Sequence, residues 1–467
     1  MRSSIRPIAA ALAVIALLAA GCSRAASSSS QPSPANSPAA SASVSGGASA
    51  AGDFGTLSDV CHGGSAGGST DQGVTSSSIE VGVLTDVGFT KDPQLENAAQ
   101  AFTSWCNSAG GIDGRKLVAD VHDTKLLAVV SAMTSACASD FVLAGGSAGL
   151  DGLGVATRLK CLLPDFDEQP TMAENAGSGL QISPVTFNYT YSAYAGYYKW
   201  LLSTYPGSAN HVGVVYGLSV ITDVDAKMVA QTVKADGGSV TADVTYPETG
   251  VTDWTPYAEA IKNKGIKGFT FYGEPQQLVA LEQALDNIGY RLDWIDTNTD
   301  DYTANFIQIA GNALTMQHNY APLDGVYPVE KAAANPAVAK IVQLLKQYAP
   351  GQPVTLEVLQ AFSAWLSFAV SAESCGADLT RTCVYEAALK QTSWTGGGIT
   401  APVDLAKPLA APNCYDIEQA TSAGWQPAPF DPNDGVYRCG EPAVRLGPGY
   451  PAPTQLSAVG ETLADLR

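Results

Sequence analysis

The stretch IEVGVLTDVGFTKDPQLENAAQAFTSWCNSAGGIDGRKL, Ile79 to Leu117, decides how the rest of the chain is read. Residues 79–84 form a short apolar run with β-branched members, the mark of a buried strand, and the run stops at Thr85 and Asp86. After a loop, Asp92 is placed to cap a helix whose first residue is Pro93, where a missing N–H costs nothing. Leu95, Ala98, Ala99, Phe102 and Trp105 then recur at helical spacing. Gly110 and Gly111 end the helix, and a second strand over 116–122 begins at once. Strand, helix and strand in that order predict a right-handed parallel crossover. Ligands of such sheets bind beyond the carboxyl ends of the strands, so the segment after Leu84 is a candidate binding rim.

The β-then-α order continues through a helix over 126–138, a strand over 141–144, the turn Gly145-Gly-Ser-Ala-Gly149, a helix to Arg158 and a strand near Leu162. A second set starts with an aromatic helix containing Tyr194, Tyr198, Trp200 and Leu201, ended by Pro206. Strands over 211–216, 238–245, 268–272 and 292–296 alternate with helices over 224–236, 256–264 and 275–288, which predicts a second parallel α/β lobe. Beyond Thr315 the chain is helix-rich, over 336–348, 356–374 and 384–391.

Between the first helix and second strand stands Asn107-Ser-Ala-Gly-Gly-Ile-Asp-Gly-Arg-Lys-Leu117. This segment resembles the N-x-x-G-G-I-x-G-R/K-K/x-L motif of the solute-binding proteins of ABC importers, in the branch that includes leucine/isoleucine/valine receptors. The resemblance covers roughly residues 75 to 410 and implies two doubly wound parallel-sheet lobes joined by three crossings, placed near Asn188, Gln317 and Thr392. The expected division is an export signal (1–21), a tether (22–57), the first lobe (58–188), the second lobe (189–317), a return to the first (318–392), a return to the second with a disulfide hairpin (393–440), and a tail (441–467). The resemblance also implies a monomeric receptor, without cofactor, that hands its ligand to the permease subunits of an ABC importer.

Arg2 and Arg6, an apolar run over 8–20 and Leu18-Ala-Ala-Gly-Cys22 read as an export signal. Its apolar run is short of the ~20 residues that span a bilayer. Cys22 resembles the lipidated cysteine of a bacterial lipobox, which anchors the chain to the outer face of the cytoplasmic membrane. Residues 23–51 are Ser, Ala, Pro and Gly almost throughout and cannot bury enough surface to fold, and such a flexible chain reaches about 30 Å. Removing residues 1–21 takes away two arginines and no acids, so 23 basic residues face 44 acidic ones and the net charge is −21. That acidity argues against nucleic acid and against electrostatic binding to anionic lipid.

Eight cysteines remain after Cys22, an even number in an oxidising compartment, which predicts four disulfides. Cys375 and Cys383 bracket a short polar loop, and Cys414 and Cys439 a Pro/Gly-rich one. Cys61, Cys106, Cys137 and Cys161 are all placed at the amino-end face of the first sheet, with 61 paired to 106 and 137 to 161 as the expectation.

Gly145-Gly-Ser-Ala-Gly149 also fits the G-x-S-x-G nucleophile elbow, and Ser147, Asp300 and His318 follow in the chain order serine, acid, histidine. A serine hydrolase is therefore the rival from another class, and a sensory lipoprotein without a transport role the nearer one. Against the hydrolase, Cys61-His-Gly-Gly-Ser-Ala-Gly67 matches the same pattern inside a plain linker. The other use of the turn is anion binding by backbone N–H groups and the Ser147 hydroxyl. The resemblance implies this use, with Ser147, Ala148 and Gly149 holding a ligand carboxylate. Histidines and cysteines make no metal-ligand spacing and no nucleotide loop is present, so neither metal nor cofactor is expected.

Topology adds the other candidates. The strand ends of the first lobe are Asp86, Ser147 and Asp167; those of the second are Tyr216, Tyr272 with Glu274, and Asn298. Asn298 stands where amino-acid receptors place the acid that holds the ligand's ammonium group, with Asp300 next to it as a substitute. The expected ligand is a small polar or amphipathic molecule: an amino acid, an amide or a small carboxylate.

Overall fold

The computed structural model describes residues 51–247 and 249–466. The export signal, Cys22 and the tether as far as Ala50 lie outside them. Packed chain starts earlier than residue 58. Phe54 is fully buried, with its ring 5.1 Å from Trp105 and 6.0 Å from Phe362. A single large aromatic residue is enough to end the stretch that cannot bury surface.

The first sheet holds β1 (Ser78–Thr85), β2 (Lys116–Asp123), β3 (Val142–Ala144), β4 (Asp165–Phe166) and β5 (Gln181–Ile182) in the order β2-β1-β3-β4-β5. All four pairings are parallel. The helix Gln94–Ala109 makes the predicted crossover from β1 to β2, and it buries Ala98, Ala99, Phe102 and Trp105. On the same side lies Leu356–Glu373, the return helix, whose Trp365 stacks on Phe102 at 5.3 Å and whose Phe368 meets Phe166 at 5.6 Å. Burying each such side chain contributes about 1.5–3 kcal/mol relative to exposure.

The second sheet continues with β6 (Val212–Leu218), β7 (Val240–Pro247), β8 (Gly268–Tyr272), β9 (Trp294–Asp296) and β10 (Asn319–Pro322). Then come β11 (Cys414–Tyr415), β12 (Ile417–Thr421), β13 (Gly424–Pro427) and β14 (Arg438–Cys439). Its order is β13-β12-β10-β9-β8-β6-β7, parallel from β7 to β10. The hairpin β12–β13 adds an antiparallel edge through β10. The second crossing therefore leaves the sheet after Pro322 instead of near Gln317, because β10 is a four-residue strand too short to show a period of its own. β11 and β14 pair with each other and carry the Cys414–Cys439 disulfide. Cys61–Cys106, Cys137–Cys161 and Cys375–Cys383 are also joined.

The motif of 107–117 is a joint on the far side from the strand carboxyl ends. The Asn107 amide donates to the Leu117 carbonyl at 2.9 Å and accepts from its N–H at 2.8 Å, which locks the helix end to the start of β2. Gly111 has φ +86°, and a Cβ there would stand 2.1 Å from the Arg115 carbonyl oxygen. Arg115 is fully buried and donates to the carbonyls of Thr75, Gly376 and Ala377.

Asn188, fully buried, ties two crossings together by donating to the Ala410 carbonyl at 2.9 Å and accepting from Thr190 and Tyr191. The tail forms a further strap. Ser192 N–H donates to Val444 and Leu446 N–H to Thr190, while Gly179 N–H donates to Thr454. Leu456 and Leu466 pack with Val155, Leu159 and Leu180.

Candidate functional site

Strand order reverses between β1 and β3 in the first sheet and between β6 and β8 in the second. The loops that leave those strands line the crevice where open α/β sheets take ligands. Asp86, the 145–149 turn and Glu274 all stand on such loops.

Asp86 is buried and its carboxylate is fully engaged. It accepts from the Thr124 hydroxyl, from Leu126 N–H at 2.8 Å and from Gly149 N–H at 2.6 Å. One side chain thus joins the loops after β1, β2 and β3. The seat expected to hold a ligand's carboxylate is occupied, at Gly149, by a carboxylate of the chain itself. Ser147 N–H donates to the Leu84 carbonyl, and its hydroxyl donates to Gln169 at 2.8 Å. Ala148 is buried, and its carbonyl accepts from Thr171 Oγ1 at 2.7 Å. Gly145 has φ +62°, with Trp365 Cδ1 2.3 Å from where a Cβ would be, so packing on the return helix accounts for the glycine.

The order Ser147, Asp300, His318 does not assemble as a triad. His318 directly precedes β10, at the end of that strand opposite the rim that carries Asp300, and is bonded to Arg291 at 2.9 Å and to the Asp293 carbonyl at 3.1 Å.

Asp167 and its neighbour Glu168 follow β4 and are 3 % and 4 % exposed. Asp167 accepts from the Gln181 amide at 2.5 Å through one oxygen, and its other oxygen has no partner. Glu168 has no hydrogen-bond donor on its carboxyl at all among the described residues, and its Oε1 is fully enclosed. Burial pushes Glu168 well above the usual carboxylate range, and Glu357, Asp167 and Asp300 push it further. Glu357 stands in the first turn of Leu356–Glu373, and Asp300 follows β9, so these charges come from both sheets.

Asp300 is exposed, yet enough protein surrounds it that dehydration is the first cause raising its pKa, followed by Glu274. Water access combined with crowding is what a cleft wall produces. Glu357 is raised to about 8, by burial and then by Asp300. Asp225, on the helix Val220–Ala235, is raised to about 7 by burial and then by Asp300. Asp324, after β10, reaches about 7 through burial, Asp296 and Asp300.

Tyr272 and Tyr194 are buried among the same acids, with Asp225, Asp296 and Asp324 acting on both, and are raised well above the ordinary tyrosine range, chiefly by burial. Tyr189 donates to the Thr171 carbonyl at 2.6 Å across the two lobes. Tyr216, paired in register with Tyr272, instead faces Asp243 and Asp223, and burial followed by those acids pushes it up to about 12. Asn298 turns in on itself, with φ +68° and its Oδ1 accepting from Thr299 N–H at 2.6 Å.

The structure thus gathers Asp167, Tyr272 and Glu274 with Glu168, Asp225, Asp300, Asp324 and Glu357. It sets Asp86, Ser147, Ala148, Gly149, Tyr216 and Asn298 into internal bonds or other surroundings. The sequence did carry one signal for Glu168: Asp167-Glu168 directly follows an apolar strand, as rim acids do.

Residues 78–424 match the family model described as periplasmic binding protein. Among solved structures, a fatty acid ABC transporter substrate-binding protein from Thermomonospora curvata is 18 % identical with a TM-score of 0.64, over 79 % of this chain and 95 % of that one. A leucine-binding protein from Thermotoga maritima is 14 % identical with a TM-score of 0.61, over 75 % and 97 %. A branched-chain amino acid transporter substrate-binding protein from Streptococcus pneumoniae, solved with isoleucine, is 17 % identical with a TM-score of 0.58, over 75 % and 98 %. No curated protein sequence matches the chain. At these identities the likeness establishes the two-lobed fold.

Proposed function

Since the chain belongs to the periplasmic binding protein family, we propose that it is an extracytoplasmic solute receptor. It captures a small polar or amphipathic molecule between its two lobes and delivers it to the permease of an ABC-type importer. A lipid on Cys22 holds it at the outer face of the cytoplasmic membrane, and the Ser/Ala/Pro tether lets the lobes reach the permease. The observation that carries the reading is the convergence of loops from both sheets on one group of side chains, where Glu168 and Glu357 face Asp300. Contacts made to a ligand only when both rims close on it are what stabilise such a closed state.

A thermal-shift screen over amino acids, amides, short carboxylates, aromatic acids and amines tests the reading. A true ligand at 100 times its Kd adds about 2.7 kcal/mol and raises the melting temperature accordingly. A protein that no member of the panel stabilises, and that turns over an ester through Ser147, is a hydrolase and not a receptor.

A further inference from the structure

Among the described residues, five of the acids between the lobes have no cation of the protein's own to answer them. Glu168, Asp225, Asp300, Asp324 and Glu357 are acted on by one another and by Glu274, Asp92, Asp167 and Asp296, and by no lysine or arginine. Glu168 is 4 % exposed with an enclosed, unpartnered oxygen, whereas Asp167, at 3 %, is answered by the Gln181 amide and by Arg158. An unpaired buried carboxylate costs several kcal/mol, and the cost is offset only by a proton or by a positive group brought in from outside. The cleft also has little to offer an anion, because Asp86 already occupies Gly149 N–H and Gln169 takes the Ser147 hydroxyl.

Spacing separates a metal ion from an organic cation. Among the described residues, the group that brings three ligating atoms within 4.8 Å of one another is Asp120, His122 and Asp140, on the first sheet. The acids between the lobes do not converge in that way. They are distributed over loops of both sheets, which suits separated positive charges on an extended molecule.

We propose that the cleft takes an organic cation with two or more separated amino groups and no carboxylate, a linear polyamine in chemical class. Glu168 and Glu357 hold it from the first lobe and Asp225 and Asp300 from the second. Tyr272 and Tyr194 back the acids and cover the methylene segments between the amino groups. The inference rests on the receptor reading and narrows its ligand. Because burial raises the pKa of Glu168, Asp225 and Glu357, a cation competes with protons for them, and affinity rises with pH from 5.5 to 8.

Isothermal titration calorimetry on the mature chain tests this, with spermidine, leucine, hexanoate and calcium chloride as separate probes at pH 8 and 5.5. Spermidine is expected to bind at one site and to weaken at least tenfold at pH 5.5. Asp300→Asn and Glu168→Gln should each weaken it at least tenfold at pH 8, while Glu259→Gln, an exposed acid on another helix, leaves it unchanged. Circular dichroism verifies folding, and Asp300, being exposed, is the variant least able to disturb it. Leucine or hexanoate binding at one site without a spermidine response overturns the polyamine and leaves the receptor standing. Calcium binding alone, or spermidine heats equal in wild type and in both cleft variants, also overturns it. Silence to all four probes and to the wider thermal-shift panel overturns the receptor reading as well.

Discussion

Asp86 and Glu168 stand just beyond the ends of β1 and β4 in one sheet, both are buried, and the protein treats them in opposite ways. Asp86 receives three donors from three segments and is part of what holds the rim together. Glu168 receives none and is crowded by acids from both lobes. Burial alone therefore does not say what an acid is for. The donors do: a fully bonded carboxylate is structure, and a bare one facing like charges is a place for something else.

The largest effect expected from that contrast is on Asp86→Ala. It removes three charge-assisted hydrogen bonds and leaves a buried donor on Thr124 and part-buried ones on Leu126 and Gly149, which should cost about 3–4 kcal/mol, less than a simple sum because the three share one acceptor. Urea denaturation reads it as a lowered midpoint at unchanged slope. A loss below about 1 kcal/mol would mean that the three loops hold one another without this carboxylate, and the contrast would fail.

Next in size is the response of the unliganded protein to pH. Asp296 is raised to about 6, Asp225 and Asp324 to about 7 and Glu357 to about 8, in each case first by burial. A carboxyl with a raised folded pKa holds its proton more tightly folded than unfolded. Its contribution is therefore complete below the unfolded value, 3.8 for Asp or 4.5 for Glu, and fades as pH climbs through the folded one. Stability should fall from pH 5 to pH 8, by more than the ~1 kcal/mol of one hydrogen bond because several groups act together. Denaturant midpoints across that range measure it. A protein that grows more stable over the same interval would show that cations absent from this account neutralise the cleft.

How much of this was legible beforehand divides along the same line. The two parallel lobes follow from apolar periodicity and glycine punctuation, which are local signals. The joint at 107–117 could be matched as a motif, although its reason, Asn107 bridging helix and strand with Arg115 buried beneath, needs coordinates. The hairpin β12–β13 and strand β10 are too short to carry a period. The proposed ligand site is hardest of all. Glu168, Asp225, Asp300, Asp324 and Glu357 come from five loops and helices across about 190 residues, and nothing in one-dimensional order says that they meet. The internal bonds of Asp86 and Ser147 were hidden for a related reason, since their partners, Gly149 N–H and the Gln169 carbonyl, belong to backbone that sequence does not orient.

A smaller effect follows for Ser147→Ala. Its hydroxyl bonds the Gln169 carbonyl, so the variant should lose about 1 kcal/mol of stability and keep ligand affinity within threefold. Calorimetry with any ligand from the screen measures the second part. A tenfold loss in affinity would return Ser147 to the binding surface and make the first lobe's turn a ligand contact after all.

The smallest effect has the opposite sign. Glu168→Gln keeps the shape, removes one negative charge from beside Glu357, Asp167 and Asp300, and breaks no hydrogen bond, because the carboxyl accepts none. At pH 8 the unliganded variant should be more stable than wild type by about 0.5 kcal/mol, the scale of removing a like-charge contact. Toward pH 5 the difference should shrink, since burial and then Glu357, Asp167 and Asp300 raise the Glu168 pKa, and a protonated acid and an amide are nearly equivalent. The pH dependence is what makes this decisive. A general improvement in packing would persist at both values, and only relief of repulsion disappears on protonation. If Glu168→Gln instead destabilises the protein by 1 kcal/mol or more at pH 8, ordered water must be donating to that carboxylate, as protein groups do to Asp86, and the two acids would differ in who supplies the donors and not in whether they are supplied.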